Sequence, residues 1–181
     1  VIIGILSWLT PILAIIIKLE SKGPLFFVQK RNGLNYHEFD CYKFRSMNLN
    51  PKAHIEQVSK NDPRITRVGR LLRKTSIDEL PQFINVFLGQ MSVVGPRPHM
   101  VSHTEMYAQR VNKFMVRHFV KPGITGLAQT KGYRGEVEKE TDIINRVKYD
   151  IFYMENWSIL LDIKIIFMTI FNTVKGEDKA Y

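Results

Sequence analysis

Cysteine is almost absent from this sequence. Cys41 is the one cysteine in 181 residues, so no internal disulfide can form and a cysteine-rich zinc site is excluded, a usage that suits a reducing compartment. Acid is scarce as well. Against 26 Lys plus Arg stand 17 Asp plus Glu, a net charge of +9, which points to an anionic partner such as phospholipid, nucleotide or nucleic acid without choosing among them. Internal repeats and low-complexity tracts are missing, and no linker is evident after Lys22, which leaves one domain with a core of its own. The sequence opens on Val1 rather than Met, and further segments are expected upstream.

Charge is missing altogether from Val1 to Ile17, and Lys18, Glu20 and Lys22 follow at once. A straight helix of that length reaches about 25 Å, short of a hydrocarbon core of about 30 Å. Thr10-Pro11 lies near its centre, where a proline removes a helical hydrogen bond and bends the chain. A bent segment that dips into one leaflet and returns to the same face fits this pattern; so do the tail of a spanning helix and a buried core helix. The basic start and small-residue cleavage site of a signal peptide are absent.

Gly23-Pro24 ends the apolar run. Leu25-Phe-Phe-Val28 then predicts a strand, Asn32-Gly33 a two-residue turn, and Tyr36 to Phe44 the return strand. The hairpin carries Lys43 and Arg45, on either side of Phe44, to a strand end as candidate substrate-binding cations, with a solvated basic rim as the plainer alternative. Asn48 to Asp62 reads as a polar surface loop in which His54 meets solvent.

The densest chemistry lies between Arg70 and Gly89, where Asp78 and Glu79 are adjacent acids. Pro81 has no N–H, which places the start of the helix through Phe83 and Val86 near Ile77 or Asp78. Both acids then sit where unpaired N–H groups and the helix dipole favour carboxylates and a bound anion. Upstream, Arg64, Arg67, Arg70 and Arg73 recur every third residue and spread guanidinium groups over a broad face. Ser76-Ile-Asp-Glu79 also fits a capping box, in which Ser76 and Glu79 satisfy backbone donors and no chemistry is implied.

Further on, Gly95-Pro-Arg-Pro98 fixes the backbone on both sides of Arg97, which suits bidentate phosphate binding. Phe114 to His118 ends a helix, with His118 a structural histidine. Lys121 to Gln129 is punctuated by Pro122, Gly123 and Gly126, a composition that turns the chain or lets backbone approach a ligand. Gly132-Tyr-Arg-Gly-Glu136 forms another loop, expected near a sugar. Asp142 to Asn172 predicts helix with an interruption at Glu155-Asn-Trp157. In its second half Ile159, Leu160, Ile163, Ile166, Phe167 and Ile170 share a face, while Asp162 and Lys164 argue against a membrane span. Trp157, Phe167 and Phe171 suit a helix lying at a lipid interface; a plain core helix is the alternative.

Taken in order, Lys43-Phe-Arg-Ser-Met47, Asp62-Pro-Arg64, Val68-Gly-Arg70, Arg73-Lys-Thr-Ser-Ile-Asp-Glu-Leu-Pro-Gln82, Asn85-Val86, Gly89-Gln-Met-Ser-Val-Val-Gly-Pro-Arg-Pro98, Arg117-His118 and Pro122-Gly-Ile-Thr-Gly126 resemble the bacterial sugar transferase family. These are monotopic phosphoglycosyl transferases, which load a sugar phosphate onto polyprenyl phosphate at the start of exopolysaccharide or glycan assembly. The resemblance covers nearly the whole chain. Residues 132–181 are most similar to the undecaprenyl-phosphate glucose or galactose phosphotransferase branch, whose members carry spanning helices and another domain upstream.

This resemblance implies an α+β fold. Residues 1–22 would form a membrane-inserted re-entrant helix broken at Thr10-Pro11, and residues 23–181 a catalytic domain with interfacial amphipathic helices on the cytoplasmic face of the bacterial inner membrane. It implies that Asp78 attacks the β-phosphorus of a UDP-sugar, UDP-glucose or UDP-galactose, expelling UMP, and that undecaprenyl phosphate then attacks the aspartyl phosphosugar. Glu79 would hold Mg2+ near the diphosphate. Lys43, Arg73 and Arg97 would neutralise phosphate charge, with Arg45 and Asp150 completing the substrate-binding set.

Residue chemistry agrees with that implication. A carboxylate attacking a phosphoryl group meets like charge, so metal and cations must screen it, and a covalent step lets an aqueous and a membrane substrate react in turn. A different class, a non-catalytic scaffold binding anionic lipid through the apolar opening and basic surface, would tolerate substitution of Asp78 and Glu79. Nucleic acid is not an expected partner, because it rests on charge alone and the lipid-like opening argues against it. The expected partners are a UDP-sugar, undecaprenyl phosphate and the phospholipid bilayer, with room on the apolar helix faces for a homodimer.

Overall fold

The computed structural model describes residues 2–51, 58–59, 62–137 and 139–175; the expectation for His54 lies outside them. Helix and strand are mixed in one α+β arrangement whose sheets are small. The apolar opening forms α1 (Ile2–Glu20). Its helix continues through Pro11, where a break was expected: a proline removes one N–H and crowds the preceding turn, which kinks a helix without having to end it. Leu6, Leu13 and Ile17 recur on one stripe and pack with Phe44 and Leu72. The opposite stripe, Ile5, Trp8, Ile12, Ile15 and Leu19, is exposed. No helix among the described residues is long and apolar enough to cross a membrane.

Strands β1 (Phe26–Asn32) and β2 (Glu38–Phe44) form the expected antiparallel hairpin, with Phe26 opposite Phe44 and Asn32 opposite Glu38. The connection is longer than the two-residue turn that Asn32-Gly33 suggests. Asn32 stays in the strand because its carboxamide is used twice, donating to the Tyr36 carbonyl at 3.3 Å and accepting from the Thr104 hydroxyl at 2.8 Å. The reversal passes to Gly33 through His37, and Asn35 and Tyr36 take positive φ of 50° and 65°.

The outer edge of β2 would be a row of unpaired backbone groups. Asn85, fully buried in α3 (Gln82–Phe87), closes it by donating to the Asp40 carbonyl at 2.7 Å and accepting from the Tyr42 N–H at 3.1 Å. Helix α2 (Arg67–Lys74) begins at Thr66, whose hydroxyl accepts from the Gly69 N–H at 2.9 Å. Its exposed side carries Arg67, Arg70, Leu71 and Lys74, while Gly69 and Leu72 face inward.

Strands β3 (Ser92–Val94) and β4 (Gly123–Thr125) pair in parallel, joined through α4 (Val101–Arg110) and a 3-10 segment at Phe114–Phe119. The short α5 (Leu127–Thr130) leads to α6 (Glu140–Glu155) and α7 (Ile159–Lys175), separated where Asn156-Trp157 was expected to interrupt. Helix α7 is turned so that Ile165 is fully buried, the Thr169 hydroxyl meets that of Thr125 at 2.6 Å, and Asn172 donates to the Thr130 carbonyl at 3.1 Å. Ile159, Leu160, Ile163, Phe167 and Ile170 face outward; of the predicted stripe, Ile166 packs inward. An outward apolar stripe of this length marks an interaction surface rather than a core helix.

The glycines of Pro122-Gly-Ile-Thr-Gly126 serve backbone against backbone. A Cβ on Gly123 would lie 2.1 Å from the Gly95 nitrogen, so the two chains approach more closely there than any side chain permits. Gly123→Ala should therefore destabilise the protein by about 1–3 kcal/mol, the usual cost of overpacking, read as a lowered thermal midpoint; an unchanged midpoint would show that the two loops can separate freely.

Candidate active site

Asp78 and Glu79 occupy a 3-10 turn (Ile77–Glu79) that follows Ser76 in left-handed backbone, φ 58°. The helix through Phe83 and Val86 does not begin on the acids as expected. It begins at Gln82 with Pro81 at its cap. The turn closes by short-range bonds from the Glu79 N–H to the Ser76 carbonyl and from the Leu80 N–H to the Ile77 carbonyl. Pro81, lacking an N–H, cannot extend that ladder and starts a new one. The capping box does not form either: the buried Ser76 hydroxyl has no hydrogen-bond partner among the described residues, and the Glu79 carboxylate turns to cations.

Three of them converge on it. Lys43 Nζ from β2 lies 2.7 Å from Glu79 Oε1. Arg97 grips both oxygens, Nη2 to Oε1 at 2.5 Å and Nη1 to Oε2 at 3.2 Å, the forked geometry for which a guanidinium is suited. Arg134 Nη2 reaches Oε2 at 3.3 Å. Burial alone would raise the pKa of Glu79, but Arg97, Lys43 and Arg134 outweigh it and hold the carboxyl well below the usual range. Glu79 is therefore a fixed anion.

Its neighbour is placed in the opposite condition. Asp78 is 5% exposed, and no hydrogen bond or ion pair among the described residues falls on its carboxylate. Burial and the negative charge of Glu79 push its pKa up, against the pull of Lys43, Arg73 and Arg134. Such a carboxyl is poorly solvated and, among the described residues, uncommitted, which marks it as a candidate for chemistry.

Both acids line a cavity of about 560 Å3, a size common for small-molecule sites. Lys43, Arg45, Arg73 and Arg97 line it together with Arg31, Arg134 and Arg146, seven cations against the acids Asp78, Glu79 and Glu136. Arg73 Nη1 donates to the Ser46 hydroxyl at 3.0 Å, while its buried Nε has no partner among the described residues. Arg45 has a second task. It donates to the carbonyls of Ser21 and Lys22 at 2.7 and 2.5 Å, tying the end of α1 to the cavity wall.

Asp150 is not among the lining residues. It lies behind them, 1% exposed, with Oδ2 2.7 Å from Arg117 Nη2 in a buried ion pair. The same Nη2 donates to the Arg97 carbonyl at 2.8 Å, and Arg117 Nη1 contacts the His99 ring. Arg146 approaches His99 Nε2 at 3.3 Å and donates to the Gly135 carbonyl at 3.0 Å. The backbone that presents Arg97 is thus held from behind by a buried network of Asp150, Arg117 and His99. Burial and then Arg117, Arg146 and Arg31 hold the His99 pKa well below the usual imidazole range. His118 Nδ1 donates to the Met115 carbonyl, 3.2 Å away, and its ring lies against Tyr36; its role here is structural.

Sequence reasoning missed Arg31, Arg146 and His99 as cavity residues, and it placed Arg134 and Glu136 only within a loop expected near a sugar, without singling them out. The available signals were weak: His99 directly follows the rigid Pro-Arg-Pro run, and Arg134 stands between Gly132 and Gly135.

A family model described as bacterial sugar transferase matches residues 1–176. The chain belongs to that family. It is 52% identical over 171 residues to the UDP-glucose:undecaprenyl-phosphate glucose-1-phosphate transferase of Klebsiella pneumoniae, covering 92% of the present chain and 37% of that protein. It is 46% identical over 162 residues to the exopolysaccharide production protein PSS of Rhizobium leguminosarum bv. phaseoli, covering 87% of this chain and 81% of that one. To the UDP-N-acetylgalactosamine-undecaprenyl-phosphate N-acetylgalactosaminephosphotransferase of Aeromonas hydrophila it is 42% identical over 165 residues, 90% and 38% of the two chains. The chain thus spans little more than a third of the Klebsiella and Aeromonas relatives.

Mg2+ takes hard oxygen ligands, commonly one or two carboxylates completed by water and phosphate. The adjacent carboxylates of Asp78 and Glu79 are donors of that kind. No group of three His, Cys, Asp or Glu able to hold a metal occurs among the described residues, so the donor set fits Mg2+ only where substrate phosphate completes the shell. Glu79 would also have to release at least one cation to a phosphate.

Two outcomes test the buried layer. Asp150→Asn should destabilise the fold by about 3–5 kcal/mol, because it strands Arg117 as an uncompensated buried charge; a cost below about 1 kcal/mol would show that the pair is relieved by solvent. His118 is lowered to about 4 by burial and by Arg117. Between about pH 6.5 and pH 4 the unfolded imidazole binds a proton that the folded one does not, so this group weakens the fold as pH falls. The stability difference between wild type and His118→Gln should shift in favour of the variant across that window, the carboxylates being common to both; a constant difference would contradict the buried neutral ring.

Proposed function

We propose that the chain is the catalytic part of a phosphoglycosyl transferase that moves a hexose 1-phosphate from UDP-glucose or UDP-galactose to undecaprenyl phosphate. The observation that carries this reading is the contrast between two adjacent acids, one committed to three cations and the other buried beside them without a hydrogen-bond or ion-pair partner among the described residues. An oxygen of Asp78 attacks the β-phosphorus of the donor. The bond from that phosphorus to the bridging oxygen breaks, and UMP leaves with the electron pair. The hexose phosphate remains on Asp78 as an acyl phosphate ester until an oxygen of undecaprenyl phosphate attacks the same phosphorus, releases the carboxylate and forms undecaprenyl diphosphate hexose.

Charge decides whether the first step can occur. The attacking carboxylate and the phosphoryl oxygens repel each other, and Lys43, Arg73, Arg97 and Arg134 lie where they offset that repulsion in a site largely shielded from water. Glu79 would hold Mg2+ together with the donor phosphates, and the ion would supply Lewis-acid charge to them. The names of the relatives support the substrates: they are transferases of glucose 1-phosphate or N-acetylgalactosamine phosphate to undecaprenyl phosphate. Glucose and galactose are our choice for this chain, on the similarity of its closing third.

The reading includes a membrane. The outward apolar stripes of α1 and α7 support a bilayer as the surface they meet. Residues 1–22 would be the inserted, re-entrant part and the remainder the catalytic domain on the cytoplasmic face of the inner membrane; a second copy is the other occupant those stripes admit. A scaffold without activity would keep the membrane contact and lose nothing on substitution of the acids.

Asp78→Asn preserves shape and removes the attacking charge. It should lower UMP release from UDP-sugar in detergent or lipid particles by at least about 1000-fold, about 4 kcal/mol of barrier, with no labelled sugar phosphate retained on the protein. Turnover at the wild-type rate would remove Asp78 as the nucleophile.

A further inference from the structure

Of the three acids that line the cavity, the proposed reaction uses Asp78 and Glu79. Glu136 is left over. Among seven cations gathered for phosphate, an extra carboxylate weakens the attraction for the diphosphate and calls for another purpose. Glu136 is half-buried, lines the cavity, and makes no hydrogen bond or ion pair among the described residues. It does not join the cations on Glu79.

Its position along the chain narrows what it meets. Arg134, two residues earlier, reaches the turn that carries the reacting acid, and two residues advance the backbone by at most about 7 Å. Arg134 and Glu136 thus both line the cavity that holds the acid pair, and Glu136 stays on the stretch of wall whose Arg134 contacts Glu79. The segment between them is held to α6 on both sides: Asn145 donates to the Tyr133 hydroxyl at 3.1 Å, and Arg146 donates to the Gly135 carbonyl at 3.0 Å. A side chain presented from a fixed loop can select, because its hydrogen bonds are not averaged away.

The transferred part of the donor is neutral next to its phosphate and rich in hydroxyl donors. An ionised carboxylate is an acceptor only, with two oxygens that can take neighbouring hydroxyls together. Cations serve the phosphates and this acid serves the sugar.

We infer that Glu136 binds the hydroxyls of the transferred hexose, and that residues 132–137 set which hexose is accepted. The assignment rests on the proposed reaction and adds a sugar subsite to it. A site built to hydrogen-bond a hydroxyl discriminates strongly against a donor that lacks or misplaces it.

The test compares wild type, Glu136→Gln and Glu136→Ala for UMP release from UDP-glucose, UDP-galactose and UDP-xylose, alongside calorimetric binding of UDP, which carries the nucleotide and both phosphates but no sugar. Glu136→Ala should lower kcat/KM for the preferred donor on the order of 10- to 100-fold, the loss expected of hydrogen bonds to a charged group, and narrow the spread among the three donors. Glu136→Gln, which retains one acceptor, should fall between. UDP affinity should stay within about twofold in both. Equal loss of UDP affinity, or kinetics unchanged for every donor, would overturn the assignment while leaving the reaction intact. A wild-type protein that turns over no UDP-sugar would overturn the reaction and this assignment with it.

Discussion

A carboxylate removed from water must be compensated, or the fold cannot afford to keep it ionised. Glu79 meets this requirement with Lys43, Arg97 and Arg134, which come from the hairpin, from the loop after β3 and from the loop before α6. Segments as much as 55 residues apart are thereby drawn onto one turn. The cavity forms between them, so its walls are cationic because its central ion is not. Asp78 inherits the consequences. Its neighbour takes the nearest cations, adds a negative charge at close range, and leaves it buried with no hydrogen bond or ion pair among the described residues.

The second layer follows from the first. Arg97 can grip Glu79 with both nitrogens only if its backbone is held still, and two prolines fix φ on either side of it without fixing where the loop sits. Arg117 supplies the position by donating to the Arg97 carbonyl, and Asp150 supplies the charge that lets Arg117 stay buried. His99 then lies among guanidinium groups, where a proton would be repelled, and it serves as a neutral packing and hydrogen-bonding ring. Such a network is stable only while each member is satisfied. The close approach of Gly95 and Gly123 belongs to this layer, since it sets the height of the Arg97 loop against β4.

Much of this was legible in the residues. The hairpin, the interruption at Asn156-Trp157, the acid pair and the rigid presentation of Arg97 follow from local patterns whose causes are local: β-branched and aromatic content, a polar break between helices, adjacent carboxylates, flanking prolines. What failed depends on distant partners. Ser76 and Glu79 match a capping box whichever way Glu79 turns, and the outcome was decided by Lys43, Arg97 and Arg134. Asn32-Gly33 is a turn signal, but Thr104 holds Asn32 in the strand and moves the turn onward. Periodicity in α7 identified residues that share a face without saying which way that face points, and Thr125 and Thr130 turned it outward by bonding its polar side. Arg134 had no local signal strong enough to separate it from a solvated loop cation.

The outward stripes of α1 and α7 bear on how a lipid-borne acceptor could reach a buried acid. Arg45 lines the cavity and also holds the carbonyls at the end of α1, so the apolar helix terminates on the cavity wall. From that point Pro24, Phe26 and Leu49 continue the wall with apolar surface, while the cations gather about Asp78 and Glu79. An isoprenyl chain requires an apolar path and its phosphate requires cations; a wall that changes from one to the other within a single cavity satisfies both. Under the proposed reaction, the acceptor would then advance its phosphate to Asp78 while its hydrocarbon stays against α1 and the first strand. The proposed two-step chemistry would suit this geometry, because UMP would already have left when the acceptor arrived and the cations that had held its phosphate could receive another.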